Sequence, residues 1–292
     1  MRFTFADAMV DPAVLRPLAV AAEEAGYDGF VVPDSICYPE VSDSTYPYSP
    51  DGTREFLENK PFLEPFSLIP YLAAATTTLR FTTFVVKLPI RHPVLVAKQA
   101  TSVSVLTEGR FALGVGVSPW PDDYEILDVP WEKRGTRMDE AIDVIRGLSG
   151  GGYFEHHGEI YDVPSIKICP VPDQSAPILV GGHSDAALRR AARRGDGWLH
   201  AGGGPEDLAD LLPKLQQFRD DAGRAHEPFE THVISLDAYT PDGITRLEDL
   251  GVTDVIVGFR DAYQPGPDTQ TLDEKLEALR WYADEVIANV KD

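Results

Sequence analysis

The chain has 292 residues, with 26 Lys and Arg against 47 Asp and Glu, giving a net charge of −21 and an isoelectric point near 4.6. A field of that sign repels phosphate backbones and anionic lipid, which excludes nucleic acid and membrane-surface partners held by broad basic patches. The 43% hydrophobic composition supports a large core, and the length suits either two ordinary domains or one α/β barrel.

In chain order, the opening Met1-Arg2-Phe3-Thr4-Phe5-Ala6-Asp7 shows no apolar leader, and no window approaches the roughly 18 apolar residues of a membrane span, so a cytoplasmic location is expected. A strand over 2–6 is followed by Asp11-Pro12, an N-cap with Pro at the first helical position, and a helix reaching Gly26. Further strands are predicted at 29–33, 80–88, 111–117, 177–180, 197–200, 231–236 and 254–259. Helices are predicted at 65–76, 93–107, 131–148, 185–194, 205–225, 244–250 and 272–289. Three helix-to-strand joints look alike, with Gly26 before Asp28, Gly195 before Asp196 and Gly251 before Asp254. In each, a left-handed Gly would end the helix and the Asp would hydrogen-bond backbone in the turn.

Eight alternating pairs with repeated joints predict a single-domain (β/α)8 TIM barrel spanning 1–292. Two stretches break the repeat. Residues 37–63, with Tyr38, Tyr46 and Tyr48, form an insertion after the second strand, and 150–176, with apolar stretches 161–163 and 166–168, reads as a hairpin. In a barrel such excursions sit on the C-terminal face, where loops carry function.

Several chemistries fail on inspection. Gly114-Val115-Gly116-Val117-Ser118-Pro119 lacks the third Gly of a dinucleotide fingerprint. Ser118 is followed by Pro119, which has no N–H for an oxyanion hole, and then by Trp120 where a nucleophile elbow needs Gly. Adjacent His156 and His157 cannot aim both rings at one ion from a helix or strand, no other metal motif is present, and Cys37 and Cys169 offer no C-x-x-C spacing, so no intrinsic metal is expected. The positive signal is 177–185, an apolar strand running through Gly181, Gly182 and His183 to Ser184, a candidate N-cap. Free amides at a helix N-terminus suit phosphate, although a plain strand-to-helix turn would read the same way. Gly114 to Ser118 reads as a second small-residue turn on the same face. Asp34 alone could be an exposed turn carboxylate, Trp120 and Trp131 could be core residues, and Arg189, Arg190, Arg193 and Arg194 suggest a solvated helix face. Only His183 and His200 of the seven histidines fall at predicted C-terminal strand ends.

These residues carry a resemblance. The run 80–93 from Arg80 through Lys87 and Arg91 to Pro93, the run 109–116, Val180-Gly181-Gly182 and the run 191–198 together resemble the luciferase-like monooxygenase superfamily, and within it the branch using the deazaflavin coenzyme F420 in place of FMN. The likeness runs almost end to end. The insertion from Tyr38-Pro39-Glu40 to Tyr46-Pro47-Tyr48 also resembles a subgroup of uncharacterised deazaflavin oxidoreductases.

The resemblance implies that Asp34 and Ser35 lie beside the coenzyme ring, and that Thr83, Phe84 and Val85 form a bulge behind it with a non-proline cis peptide. It further implies that Val117, Ser118, Trp120 and Asp122 form the loop after the fourth strand, and that Gly181, Gly182, His183 and Ser184 hold phosphate. It assigns no general acid or base. Family members that oxidise sugar phosphates have His after the strand-two Asp and Glu in the loop after strand four, where this chain has Ser35 and Pro119, so glucose-phosphate oxidation is disfavoured. Three functions stay open: an F420-dependent oxidoreductase acting on a small molecule, an FMN monooxygenase fed by a reductase, and a non-catalytic flavin carrier. Lys87 and Arg91 are the expected positive path for an anionic coenzyme. A homodimer and a coenzyme-reducing enzyme are the protein partners the resemblance allows.

Overall fold

The structure is a computed structural model that describes residues 1–46, 52–202 and 205–291; Pro47 and Tyr48 of the quoted insertion lie outside these. Strands β1 (Arg2–Phe5), β2 (Gly29–Val32), β3 (Arg80–Thr83) with its continuation β4 (Val86–Lys87), and β5 (Phe111–Gly116) form the first half of a parallel sheet. An antiparallel hairpin of β6 (Phe154–His157) and β7 (Asp162–Ile166) follows, and then β8 (Ile178–Gly181), β9 (Gly197–Leu199), β10 (Glu230–Val233) and β11 (Asp254–Val257) complete the sheet. It closes on itself, since β1 pairs with both β2 and β11 while β5 bridges β3 and β8, giving an eight-stranded parallel barrel. Between the strands run α1 (Pro12–Glu24), α2 (Pro65–Ala73), α3 (Pro93–Leu106), α4 (Pro121–Ile126), α5 (Arg134–Ser149), α6 (Asp185–Arg194), α7 (Pro205–Asp221), α8 (Pro241–Asp249) and α9 (Leu272–Tyr282). No helix among the described residues is long and apolar enough to cross a membrane.

Side-chain caps define several helix starts. Asp11 accepts from the Ala13 amide and Glu64 from those of Phe66 and Ser67, while Thr271 and Glu274 form a reciprocal capping box. Thr240 caps α8 at Gly243, so that helix begins at Pro241, three residues before the expected start. Helix α5 starts at Arg134 because Lys133 holds a left-handed backbone (φ 56°), and the short α4 was not anticipated.

Alternation along the strands makes two cores. Phe111, Leu113, Ile178 and Val180 face the helices in the large outer core, while Ala112, Leu179 and Leu199 fill the barrel interior with Phe84 and Val85 packed on them. The three similar joints prove to be of two kinds. Gly26 (φ 85°) and Gly251 (φ 83°) are left-handed, but Gly195 is extended (φ −84°) and is Gly because a Cβ would lie 2.8 Å from the Ala191 carbonyl oxygen. Asp28 accepts the Phe3 amide and Asp196 the Ile178 amide, each 2.8 Å, so each joint ties down the start of a neighbouring strand; the third joint does this with Thr253, which accepts from Thr231.

The hairpin occurs where the 150–176 stretch predicts one, with strands shifted to Phe154–His157 and Asp162–Ile166. Glu140 of α5 accepts the amides of Glu159, Ile160 and Tyr161 and so fixes it against the barrel wall. His156 turns to Glu140 (3.4 Å) and His157 to Asp162 (2.5 Å). The arginine face of α6 is only partly solvated, because Arg190 and Arg194 pair with Asp139 and Asp143 of α5.

At the N-terminal end of the barrel, Glu230, His232 and Asp254 bring ligand atoms within 4.8 Å of one another. Arg80 binds Glu230 through two 2.8 Å hydrogen bonds and Arg2 binds Asp254 at 2.8 and 2.7 Å, so two guanidinium charges already neutralise this cluster. Burial would raise the Glu230 carboxyl; the His232 and Arg80 hydrogen bonds outweigh it and hold the pKa at about 2.

Candidate functional site

The site is the C-terminal mouth of the barrel, and its floor is set by how β3 passes into β4. The Phe84–Val85 peptide is cis, as the resemblance implies, and both residues are half-buried. Three glycines accommodate this bulge. A Cβ on Gly114 would lie 1.8 Å from the Thr83 carbonyl oxygen, one on Gly116 2.8 Å from Val85 Cγ2, and one on Gly181 3.2 Å from Val85 Cγ1. Thr83 adds a 2.7 Å hydrogen bond to the Gly114 carbonyl. Gly114 and Gly116 therefore belong to β5 and serve close packing, which corrects their reading as part of a small-residue turn; the turn itself is Val117 and Ser118.

Asp34, just past β2, is not an exposed turn carboxylate. Its side chain is 2% exposed, accepting the Lys87 amide at 3.0 Å and Arg91 Nη2 at 2.9 Å, with Ser35 half-buried beside it. Lys87 Nζ lies 2.7 Å from Asp123 Oδ2, which also accepts from Ser118 Oγ at 2.5 Å; Ser118 in turn accepts the Trp120 amide. Lys87 and Arg91 are thus each bound to a carboxylate, and the expected free positive path is replaced by two ion pairs. Asp123 is fully buried and was missed. Its signal was the acidic pair Asp122-Asp123 opening a helix straight after Trp120, of which only Asp122 had been taken up.

Asp122 faces the first insertion, accepting from Ser42 (2.8 Å), Ser44 (2.6 Å) and Arg54 (2.9 Å). Burial would raise its pKa, but the two serine hydrogen bonds and the Arg54 charge lower it. Trp120, almost fully buried, stacks on Tyr46 (centroids 4.9 Å apart, 17° between planes), and Phe56 meets Tyr263 edge-on at 5.1 Å. An aromatic bridge therefore runs from the insertion to the loops after β5 and β11. Arg54, also missed, lies beneath it in a stretch with no period to flag it.

On the adjoining β8 and β9, Gly182 (φ 121°) turns the chain out of β8, its carbonyl accepting Trp198 Nε1 at 2.8 Å, and Ser184 caps α6 by accepting the Ala187 amide. His183 stacks on His200 (4.5 Å, 15°) and accepts the Ala201 amide at Nε2. His200 is fully buried, with Nδ1 3.2 Å from the Ile234 carbonyl and Nε2 without a protein partner among the described residues. Burial first, and then His183, push the His200 pKa down to about 4; burial also lowers His183. Both imidazoles are neutral at pH 7.

This has a measurable sign. An unfolded His200 takes a proton as pH falls through about 6.5, whereas the folded one refuses it until about 4, so acid withdraws roughly 3 kcal/mol of stability across that window. His200→Gln should flatten the dependence of melting temperature on pH between 6.5 and 4. An unchanged slope would show that other groups carry the acid response.

Comparisons with known proteins bear on the family and the fold. The family described as luciferase-like monooxygenase matches residues 4–280. An uncharacterized protein of Mycobacterium tuberculosis is 58% identical, covering 99% of this chain and 100% of its own length. An F420-dependent glucose-6-phosphate dehydrogenase of Microbacterium testaceum is 30% identical over 81% of this chain and 67% of its own. Among solved structures, the coenzyme F420-dependent tetrahydromethanopterin reductase of Methanopyrus kandleri superposes with a TM-score of 0.73 at 16% identity, covering 99% of each chain.

Proposed function

Because the chain belongs to the luciferase-like monooxygenase family, whose members are F420- or flavin-dependent oxidoreductases and monooxygenases, we propose that it is an F420-dependent oxidoreductase moving a hydride to or from a small organic substrate. The observation that carries this reading is the paired cradle at the mouth. A wall formed by Phe84 and Val85, set in place by three glycines of which Gly181 is one, adjoins the Gly181–Ser184 turn at the N-terminus of the ten-residue α6. The wall suits one face of a flat ring, and the turn suits a phosphate, since amides and the positive helix end converge there. When bound, the deazaflavin supplies the hydride chemistry, and this chain supplies orientation and field. Asp34, buried and with both oxygens bound by the Lys87 amide and Arg91, would fix the strand ends and the Arg91 side chain beside the ring position rather than touch the ring. The stacked His183–His200 pair is neutral and adds no charge to this side of the mouth. Ser35 and Pro119 support a substrate other than a sugar phosphate, even though one relative carries that activity in its name.

A second reading has its own support. With Lys87 and Arg91 neutralised by Asp123 and Asp34, the mouth of a protein at −21 favours the smaller anion, FMN, and a monooxygenase would then need a reductase partner. The deciding measurement is a parallel equilibrium titration of both coenzymes at physiological salt. The deazaflavin is expected to bind at least about tenfold tighter, because short-range fit sets affinity while the diffuse field mainly sets association rate. Tight FMN binding with oxygen-consuming turnover and no deazaflavin affinity would replace this proposal with the monooxygenase.

A further inference from the structure

Arg54 sits in the first insertion, 5% exposed, with its guanidinium carbon 4.1 Å from the Trp120 ring centroid and 5.7 Å from that of Tyr38. Nη1 donates to Asp122, and the two serine hydroxyls on the same carboxylate oxygen hold that partner in place. Nε and Nη2 are both buried and have no hydrogen-bond partner among the described residues. These two nitrogens form one edge of the guanidinium, the edge that takes a two-oxygen anion side-on. Arg2 uses that same edge on Asp254, with Nε to Oδ1 at 2.8 Å and Nη2 to Oδ2 at 2.7 Å. A pair of buried, unmet donors on a permanently charged group is rare in folded proteins and calls for an acceptor.

We propose that Arg54 anchors the oxyanion of the substrate, so that the site selects a small molecule bearing a carboxylate or phosphate next to an apolar body. Half-buried Tyr38 would line the apolar part, Arg54 would take both anion oxygens, and Trp120, stacked between Tyr46 and the guanidinium, acts with Asp122 to position that group. The assignment rests on the oxidoreductase reading for what is then done to that molecule, but not for its binding.

The test uses the coenzyme-free full chain, with benzoate, inorganic phosphate and neutral benzyl alcohol as probes followed by ligand-observed NMR. Arg54→Lys preserves the ion pair with Asp122 and should keep the wild-type melting temperature, yet it lacks the side-on edge. Arg54→Met lacks the charge as well. Saturable binding of benzoate or phosphate to the wild type is expected, weakened at least about tenfold in both variants, with benzyl alcohol unaffected. Tighter benzoate assigns a carboxylate substrate and tighter phosphate a phosphorylated one. Anion binding no stronger than that of benzyl alcohol, or unchanged in Arg54→Met, overturns the proposal. A parallel deazaflavin titration separates the two readings. A tenfold loss of coenzyme affinity in Arg54→Met would give the anion to the coenzyme and overturn the substrate assignment, whereas failure of the coenzyme to bind the wild type would sink the coenzyme reading and leave the probe result standing.

Discussion

Gly114→Val should yield no folded barrel. Residue 114 lies inside β5, and any Cβ there would be placed 1.8 Å from the Thr83 carbonyl oxygen and 2.7 Å from a Leu199 methyl. A side-chain methyl can rotate away, but the Thr83 carbonyl belongs to a strand paired with β5 and followed directly by the Phe84–Val85 bulge, so relief requires moving the sheet. Overpacking against side chains costs about 1–3 kcal/mol, and a backbone clash in a closed barrel should exceed the 4–5 kcal/mol that marks exceptional substitutions, comparable with a domain's whole stability. Soluble yield and far-ultraviolet circular dichroism read this directly. Gly152→Ala, where a Cβ meets nothing within 4 Å, is the control and should stay within about 0.5 kcal/mol of the parent. A Gly114→Val protein with the parent's urea midpoint would show that the strand yields more easily than the geometry allows.

The second large effect is expected at the buried ion pair of the mouth. Lys87→Met leaves Asp123 fully buried with Ser118 as the remaining donor to its Oδ2, while Oδ1 already lacks a partner among the described residues. Removing one member of a buried pair costs about 3–5 kcal/mol, chiefly because the other charge stays buried alone. The double variant Lys87→Met with Asp123→Leu should recover most of that loss, since an apolar pair of similar volume carries no desolvation cost. Urea unfolding of the three proteins tests both statements. A single variant destabilised by less than about 1 kcal/mol would mean that water or a neighbouring group reaches Asp123.

The barrel could be read because its signals are local. Most barrel strands are short apolar runs and several helices carry a cap such as Asp11 or Ser184, so the eightfold alternation needed no knowledge of contacts. An irregularity was missed where a single residue decides it: Lys133 in a left-handed backbone delays α5, whereas the Phe84–Val85 bulge between β3 and β4 was legible only through the resemblance and not from any local pattern. At the site, the residues named in advance do gather at the mouth, but their partnerships could not be read. Asp34 meets Arg91 across 57 positions and Lys87 meets Asp123 across 36, pairings set by barrel register rather than by spacing. The same two lysine and arginine side chains that looked like free cations in a string of letters are charges already matched. Arg54 was invisible for a different reason: its stretch has no period, and its importance lies in which hydrogen bonds it does not make.

The seam where β1 meets β11 has a consequence for how the chain is made. Four registered pairs from Arg2 with Asp254 to Phe5 with Val257, the Arg2–Asp254 bonds, and the contacts of Asp7 with Arg260 and Lys275 all join residues about 250 positions apart. During synthesis the first strand is therefore an open edge until the eighth emerges. At about 5–20 residues per second this lasts roughly 10–50 s, which is long compared with helix and hairpin formation. Until β11 emerges, β2 is the only strand partner β1 can have from the finished barrel, and the other edge of β1 has no partner to pair with. For this protein the interval before closure, rather than the finished barrel, is when chaperones have most to protect.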